Sequence, residues 1–324
     1  MHRRQLLRTL AAITPFAVLP QARAQERWPV RPIRIICGSA PGALLDAATR
    51  LYADKMAAYL KQPVVVENLA GASSLLAART AAKADADGYT LLTAANTITT
   101  IPHLSRNAGY TMADLAPVGE MARSPSVVIV SAGSPFRTLA DIVAEAKKNP
   151  GRVTFASGGQ GTTSHLPAEL FARQAGISLT HVPYKGVSAA VPDVVARRVG
   201  FMMATPTSVA GLVKSGQLRV LAITSQARSP AFPDVPTFRE LGYAGATFEV
   251  WVGVLAPKGL PAAVQAKLGQ ALEAARADPN LVRNLDALGQ TISPVRTPEQ
   301  FGAVLRAEEE KYARLIRDAN IVAE

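Results

Sequence analysis

The residues Ile33-Arg34-Ile35-Ile36-Cys37 make a short apolar run. It stops at Gly38-Ser39-Ala40-Pro41-Gly42 and resumes from Leu44 to Leu60 with apolar residues at helical spacing. That is strand, tight loop and helix. Pro41 suits the first turn of a helix, where a missing N–H costs nothing. The free N–H groups of such a turn, at the positive end of the helix dipole, favour an anion. An ordinary βα turn without a ligand carries the same signature.

The same order recurs along the chain. Val64–Glu67 reads as a strand, Ser74–Lys83 as a helix and Asp87–Thr93 as a turn and strand, followed by a polar loop at Asn96-Thr97-Ile98-Thr99. A second unit has strands at Val127–Val130 and Val153–Ala156, with a helix at Leu139–Lys148 opening near Thr138. It continues with a helix at Leu166–Gln174, a strand near Leu179–Val182, a helix ending at Arg197, and strands at Phe201–Met203 and Leu218–Thr224. The chain closes with a strand at Phe248–Val254 and helices at Pro261–Arg276, Asp278–Leu288 and from Thr297. Alternating strands and helices predict an α/β fold with mainly parallel sheets. Ligands of such sheets gather at the carboxyl ends of strands. The loops placed there are Gly38–Ala43, Gly71–Ser74 and Thr93–Thr97 in the first unit. In the second it is Ser157-Gly158-Gly159-Gln160-Gly161-Thr162-Thr163-Ser164-His165, rich in small donors and leading into a helix. Hydroxyls and N–H groups at a helix start can hold a carboxylate.

Met1–Ala24 reads as an export signal, with Arg3 and Arg4 as its basic head, Leu6–Leu19 as its apolar core and Ala22-Arg23-Ala24 as its cleavage site. Arg3-Arg4 fits either a twin-arginine or a general secretory signal. No later stretch is long enough to span a bilayer, so a periplasmic protein is expected. Hydrophobic residues are 48% of the chain and charged residues 18%, enough for a core. The length favours two domains. The single cysteine, Cys37, excludes an internal disulfide framework and reads as a buried thiol. The formal charge of +11 is scattered, without basic blocks interleaved with aromatics, so nucleic-acid binding is not expected.

The sequence holds no G-x-S-x-G, H-E-x-x-H, G-x-x-x-x-G-K-[ST] or C-x-x-C motif. His165 and Glu169 stand at i, i+4, but no third metal ligand is near. Ser157 with His165 hints at a hydrolase, without a carboxylate placed to orient the histidine. Lys185 reads as a surface or hinge-side lysine. No catalytic residue, metal or cofactor is expected.

Seven segments together resemble the periplasmic receptors of tripartite tricarboxylate transporters, the TctC or Bug-type solute-binding proteins. They are Trp28-Pro29-Val30-Arg31-Pro32-Ile33, Gln62–Asn68, Asp87–Leu92, Phe155-Ala156-Ser157-Gly158, His181-Val182-Pro183-Tyr184-Lys185-Gly186, Lys214–Arg219 and Pro233-Asp234-Val235-Pro236-Thr237. The resemblance implies a two-domain Venus-flytrap fold closing on a small carboxylate, no enzyme activity, and membrane components of the transporter as partners of a monomer. A sensor handing its signal to another protein remains the alternative. The chain departs from the family pattern at Ser39 and Ala43 in the first loop, at Ser73-Ser74 in the second, and at Gly200 and Ala204, where acidic residues are common. These changes imply a more anionic or larger ligand.

The resulting expectation is a domain of residues 25–123 plus 246–324 and a second of residues 124–245, with the ligand between them. The candidate ligand-binding residues are Ser39, Ala40, Pro41, Gly42, Asp46, Ser73, Asn96, Thr97, Ser157, Gly161, Thr162, Thr163, His165 and Thr205.

Overall fold

The computed structural model describes residues 28–318, apart from 72, 73, 106 and 230, and residue 321. The expected export signal and the candidate Ser73 lie outside the described residues. The strands are β1 (Ile33–Cys37), β2 (Val64–Asn68), β3 (Thr90–Ala94), β4 (Leu115–Pro125), β5 (Val127–Ser131), β6 (Thr154–Ser157), β7 (Thr180–Pro183), β8 (Phe201–Ala204), β9 (Leu218–Ile223), β10 (Glu249–Pro257) and β11 (Thr291–Ile292). The helices are α1 (Leu44–Leu60), α2 (Leu75–Ala82), α3 (Thr97–Leu104), α4 (Leu139–Lys148), α5 (Leu166–Ala175), α6 (Val187–Val195), α7 (Pro206–Lys214), α8 (Ala262–Arg276), α9 (Pro279–Ala287) and α10 (Pro298–Asp318).

Two sheets result. The first has the order β11-β4-β10-β3-β1-β2 and the second β7-β6-β8-β5-β9. Helices cover both faces of each. In the first sheet, Tyr52 and Met56 of α1 and Leu268 of α8 pack on one face. Ala78 of α2, Ile98 of α3 and Phe301 of α10 pack on the other. In the second sheet, Ile142 of α4 and Phe171 of α5 oppose Val191 of α6 and Val209 of α7 across it. The α4 helix begins where its sequence marks it. Thr138 Oγ1 accepts from Asp141 N–H, and Asp141 accepts from Thr138 N–H, a reciprocal cap.

The sheets are mixed, which corrects the expectation of mainly parallel ones. β1 runs parallel to β2 and β3, and β6 parallel to β7 and β8. β10 runs antiparallel to β3 and β4, and β5 antiparallel to β8 and β9. The reason lies in the passage between sheets. β4 leads straight into β5 through Ser126, with no helix between them. One strand leaves the first sheet and β10 returns to it, so these two must run opposite ways. The alternation of strand and helix signals cannot reveal such a direct passage.

One hydroxyl ties the two crossings together. Thr224 Oγ1 accepts from Ser126 N–H at 2.8 Å and lies 2.5 Å from Phe248 O. Thr224 N–H donates to Ser126 O, and Phe248 N–H donates to Thr224 O. Thr224 is fully buried. Thr224→Val keeps the shape but strands the Ser126 N–H without its acceptor. It is expected to destabilise the protein by roughly 1–3 kcal/mol, read by urea unfolding; an unchanged midpoint would show that the hydroxyl holds nothing.

Candidate functional site

Parallel strands of both sheets end at one gap. After β2, β3, β6 and β7 the chain turns into α2, α3, α5 and α6, and the starts of these four helices face each other. Ser74 and Thr97 come from the first sheet's side; Gly158, Thr162, Thr163, Ser164, Lys185, Gly186 and Val187 come from the second. They line a cleft of about 570 Å³. None of the lining residues is acidic, and Lys185 contributes a cation. The backbone N–H groups of Thr97, Thr163 and Ser164 have no acceptor among the described residues. Helix N-termini carry partial positive charge, so four of them beside a lysine make a site for an anion.

The wall from the second sheet is built by close backbone approach. β6 and β7 are parallel neighbours, with Ser157 opposite Pro183. Their following loops touch: Gly186 N–H donates to Gly158 O at 3.2 Å. A Cβ on Gly158 would sit 3.1 Å from Val187 N, so a side chain there would press the loops apart. Gly161 has φ +67° and packs against Leu104 of α3, and Thr100 Oγ1 donates to Gly161 O at 3.4 Å. The loop therefore bridges to α3, which packs on the first sheet.

Behind this wall, Ser157 and His165 face inward. Ser157 is fully buried; its Oγ accepts from Gly159 N–H and lies 2.6 Å from His181 Nε2. His165 Nδ1 accepts from Gly161 N–H at 3.0 Å, which leaves the proton on Nε2, 3.5 Å from Glu169. The two imidazoles stack at 3.8 Å between centroids, and Phe155 stacks on both. Both residues were candidates for ligand contact. The structure makes them supports of the loop, because their polar atoms are already bonded within it. The serine pairs with His181 and not with His165, and no carboxylate bonds to His181 among the described residues. Among the described residues no cluster of His, Cys, Asp or Glu fits a metal ion.

The first loop also differs from expectation. Ala40, Pro41 and Gly42 are exposed. Pro41 and Gly42 face a groove along α1 and α9, away from the cleft. Ser39 Oγ lies 3.4 Å from the buried Cys37 Sγ. Asp46 is buried and saturated: Oδ2 accepts from Gly42 N–H at 2.8 Å and Arg50 Nε at 3.0 Å, and Oδ1 accepts from Asn68 Nδ2 at 2.7 Å. Burial alone would raise its pKa, but the bonds from Arg50, Asn68 and Gly42 outweigh it and hold the carboxylate below its ordinary value. Asp46 thus locks the loop. Asn96 is likewise consumed, donating to Glu249 O and Glu308 Oε1 and accepting from Trp251 N–H. Thr205 bonds Ser208 at the start of α7 and does not line the cleft. Of the candidates, Thr97, Thr162 and Thr163 reach the cleft. Ser74, Lys185 and Gly186 reach it without having been candidates for ligand contact. The signal for them was the strand-to-helix boundary at each.

Burial, and then the neighbouring His165, push His181 down to about 3. It is therefore neutral when folded, whereas an unfolded histidine takes a proton near 6.5. Its contribution to stability is present above pH 6.5 and lost as pH falls below it. Urea unfolding between pH 6.5 and 4 is expected to show a smaller loss of stability in His181→Gln than in the parent. Equal losses would mean that this imidazole is solvated.

The family model described as the tripartite tricarboxylate transporter family receptor matches residues 48–321. A protein of Pseudomonas sp. (strain P51), described as a UPF0065 protein in the tcbD-tcbE intergenic region, is 36% identical over 313 residues, covering 95% of this chain and 93% of the relative. The structure of the periplasmic binding protein BugD superposes with a TM-score of 0.78 at 31% identity, over 92% of this chain and 100% of that one. Rpa4515 of R. palustris, solved with adipate, superposes with a TM-score of 0.80 at 28% identity, again over 92% and 100%. No helix among the described residues is long and apolar enough to cross a membrane. The match over most of the chain, with the two mixed sheets and the cleft between them, makes this protein a member of the tripartite tricarboxylate transporter receptor family, solute-binding proteins of the periplasm.

Proposed function

We propose that this receptor captures a small carboxylate between its two domains and delivers it to the membrane components of a tripartite tricarboxylate-type transporter. The observation that carries this reading is the convergence of four helix starts and Lys185 on a cleft without an acidic lining residue. A small carboxylate fits a cleft of about 570 Å³ whose lining offers N–H donors and a cation. Adipate in the related Rpa4515 supports the same class. The domains are residues 25–123 with 246–324, and residues 124–245, hinged where Ser126, Thr224 and Phe248 meet. Closure brings the α3 start against the Gly158–Ser164 loop. Each hydrogen bond to the ligand then strengthens as water leaves. The receptor is made for export and works in the periplasm as a binding protein, with no reaction of its own. The ligand-contacting set is Lys185 with the N–H groups of Thr97, Thr163 and Ser164 left free among the described residues; Ser74, Thr162, Gly158 and Gly186, whose donors bond within their own loops, shape the wall.

A thermal-shift screen of mono-, di- and tricarboxylates, sugars and amines tests this. Acids are expected to raise the melting temperature; a ligand at 100 times its Kd adds about 2.7 kcal/mol. Lys185→Ala is expected to weaken the best acid by about tenfold, or about 1.4 kcal/mol, in calorimetry, without lowering the melting temperature of the free protein. Stabilisation by sugars or amines alone would remove the carboxylate reading.

A further inference from the structure

A carboxyl at the hinge reaches the cleft through a single residue. Glu308 of α10 is half-buried, with its carboxyl desolvated. Its Oε2 accepts from Trp251 Nε1–H at 2.6 Å and its Oε1 accepts from Asn96 Nδ2–H at 2.9 Å. Asn96 is the residue that precedes α3, and the next residue, Thr97, lines the cleft. Asn96 is also bonded twice to one edge of β10, through Glu249 O and Trp251 N–H. The start of α3 is thus pinned between the returning crossing strand and one carboxylate. Beside this clamp lies a cavity of about 310 Å³, lined from both crossings by Arg123, Thr224, Phe248 and Glu249.

We infer that Glu308 is a positioning residue for the ligand cleft: its ionised carboxylate holds Asn96, and through it the start of α3, in the geometry that receives the anion, and its protonation releases that hold.

Both partners of the carboxylate are N–H donors, so the ionised form satisfies both. A proton on either oxygen leaves it a poorer acceptor and weakens the bond that the facing N–H makes to it. Burial, the leading effect, pushes Glu308 up to about 7, against the pull of Trp251, Asn96 and Lys311. The change therefore falls in the physiological range. The other groups facing this site are known. Lys311 on the same helix is itself lowered by burial. Arg123 and Glu120 on β4 form an ion pair with each other, and Glu249 on β10 lies 3.6 Å from Arg123. His103 on α3 faces Glu309, at 3.5 Å. His103 is the imidazole on α3 itself, so it is the competing source of any pH response in that helix.

The first test needs no ligand. In 15N-labelled free protein, the Trp251 indole N–H and the Thr97 backbone N–H are followed from pH 5.5 to 8.5. Trp28→Phe identifies the indole, since the chain has two tryptophans. Both signals are expected to move with one midpoint near 7. Glu308→Gln is expected to abolish that shared transition and His103→Gln to preserve it; the wild-type titration stands even without a folded variant. A Thr97 signal that stays still while the indole moves, or a transition that follows His103, overturns the inference.

The second test rests on the carboxylate reading and uses adipate in calorimetry at pH 8 and pH 6. Binding is expected to weaken at pH 6 by roughly 3- to 10-fold, as one hydrogen bond would give, and by less in Glu308→Gln. Adipate's own ionisation affects both proteins alike. An equal pH ratio in parent and variant overturns the inference. Absence of adipate binding at both pH values removes the carboxylate reading instead, and the Thr97 signal still decides the role of Glu308.

Discussion

A parallel strand ends at the edge of its sheet where its crossover helix begins, so the strand's carboxyl end and the helix's positive end share one place. Here that constraint operates twice, once in each sheet, and the two sheets turn those edges toward each other. Thr97 and Ser74 approach from one side, Thr163 and Lys185 from the other. The positive character of the cleft follows from topology before any side chain is chosen. Lys185 adds to a field the backbone already supplies.

Much of this fold is legible in the residues. The periodicity of Leu44–Leu60 and the Thr138–Asp141 cap give α1 and α4 their observed bounds, because those signals are local. The α3 helix is not legible. Asn96-Thr97-Ile98-Thr99 read as a polar loop, and β-branched residues are weak helix formers. Thr99 and Thr100 spend their hydroxyls on carbonyls three residues back, while Ile98 and Ile101 anchor the helix in the core. β4 is missed for another reason. Its glycine, prolines and charges belong to a strand paired on both edges within the first sheet, where the buried Glu120 pairs with the part-buried Arg123.

The site was legible by loop but not by residue. Sequence identifies which loops sit at strand ends; it does not show which way each side chain turns. Ser157, His165, Asp46 and Asn96 have the chemistry of ligand contacts and the positions of ligand loops. Each instead bonds its own loop or the neighbouring strand. Building a rigid wall of backbone N–H groups requires acceptors behind it, and those acceptors look like ligand residues in a linear chain. Lys185 read as a surface or hinge-side lysine because nothing in Tyr184-Lys185-Gly186 marks its direction toward the cleft.

The two crossing strands are paired along their length, with Glu249 opposite Pro125 at the very end of the ladder. Two independent linkers would let the domains twist, slide and bend. Two strands laced side by side bend together in one direction, across their common plane, and resist shear along it. On the proposed closure the two domains would follow a single path, like a door on a long hinge plate. A ligand too short to reach the second wall would then gain little by touching the first, and its length would be tested mechanically as well as chemically.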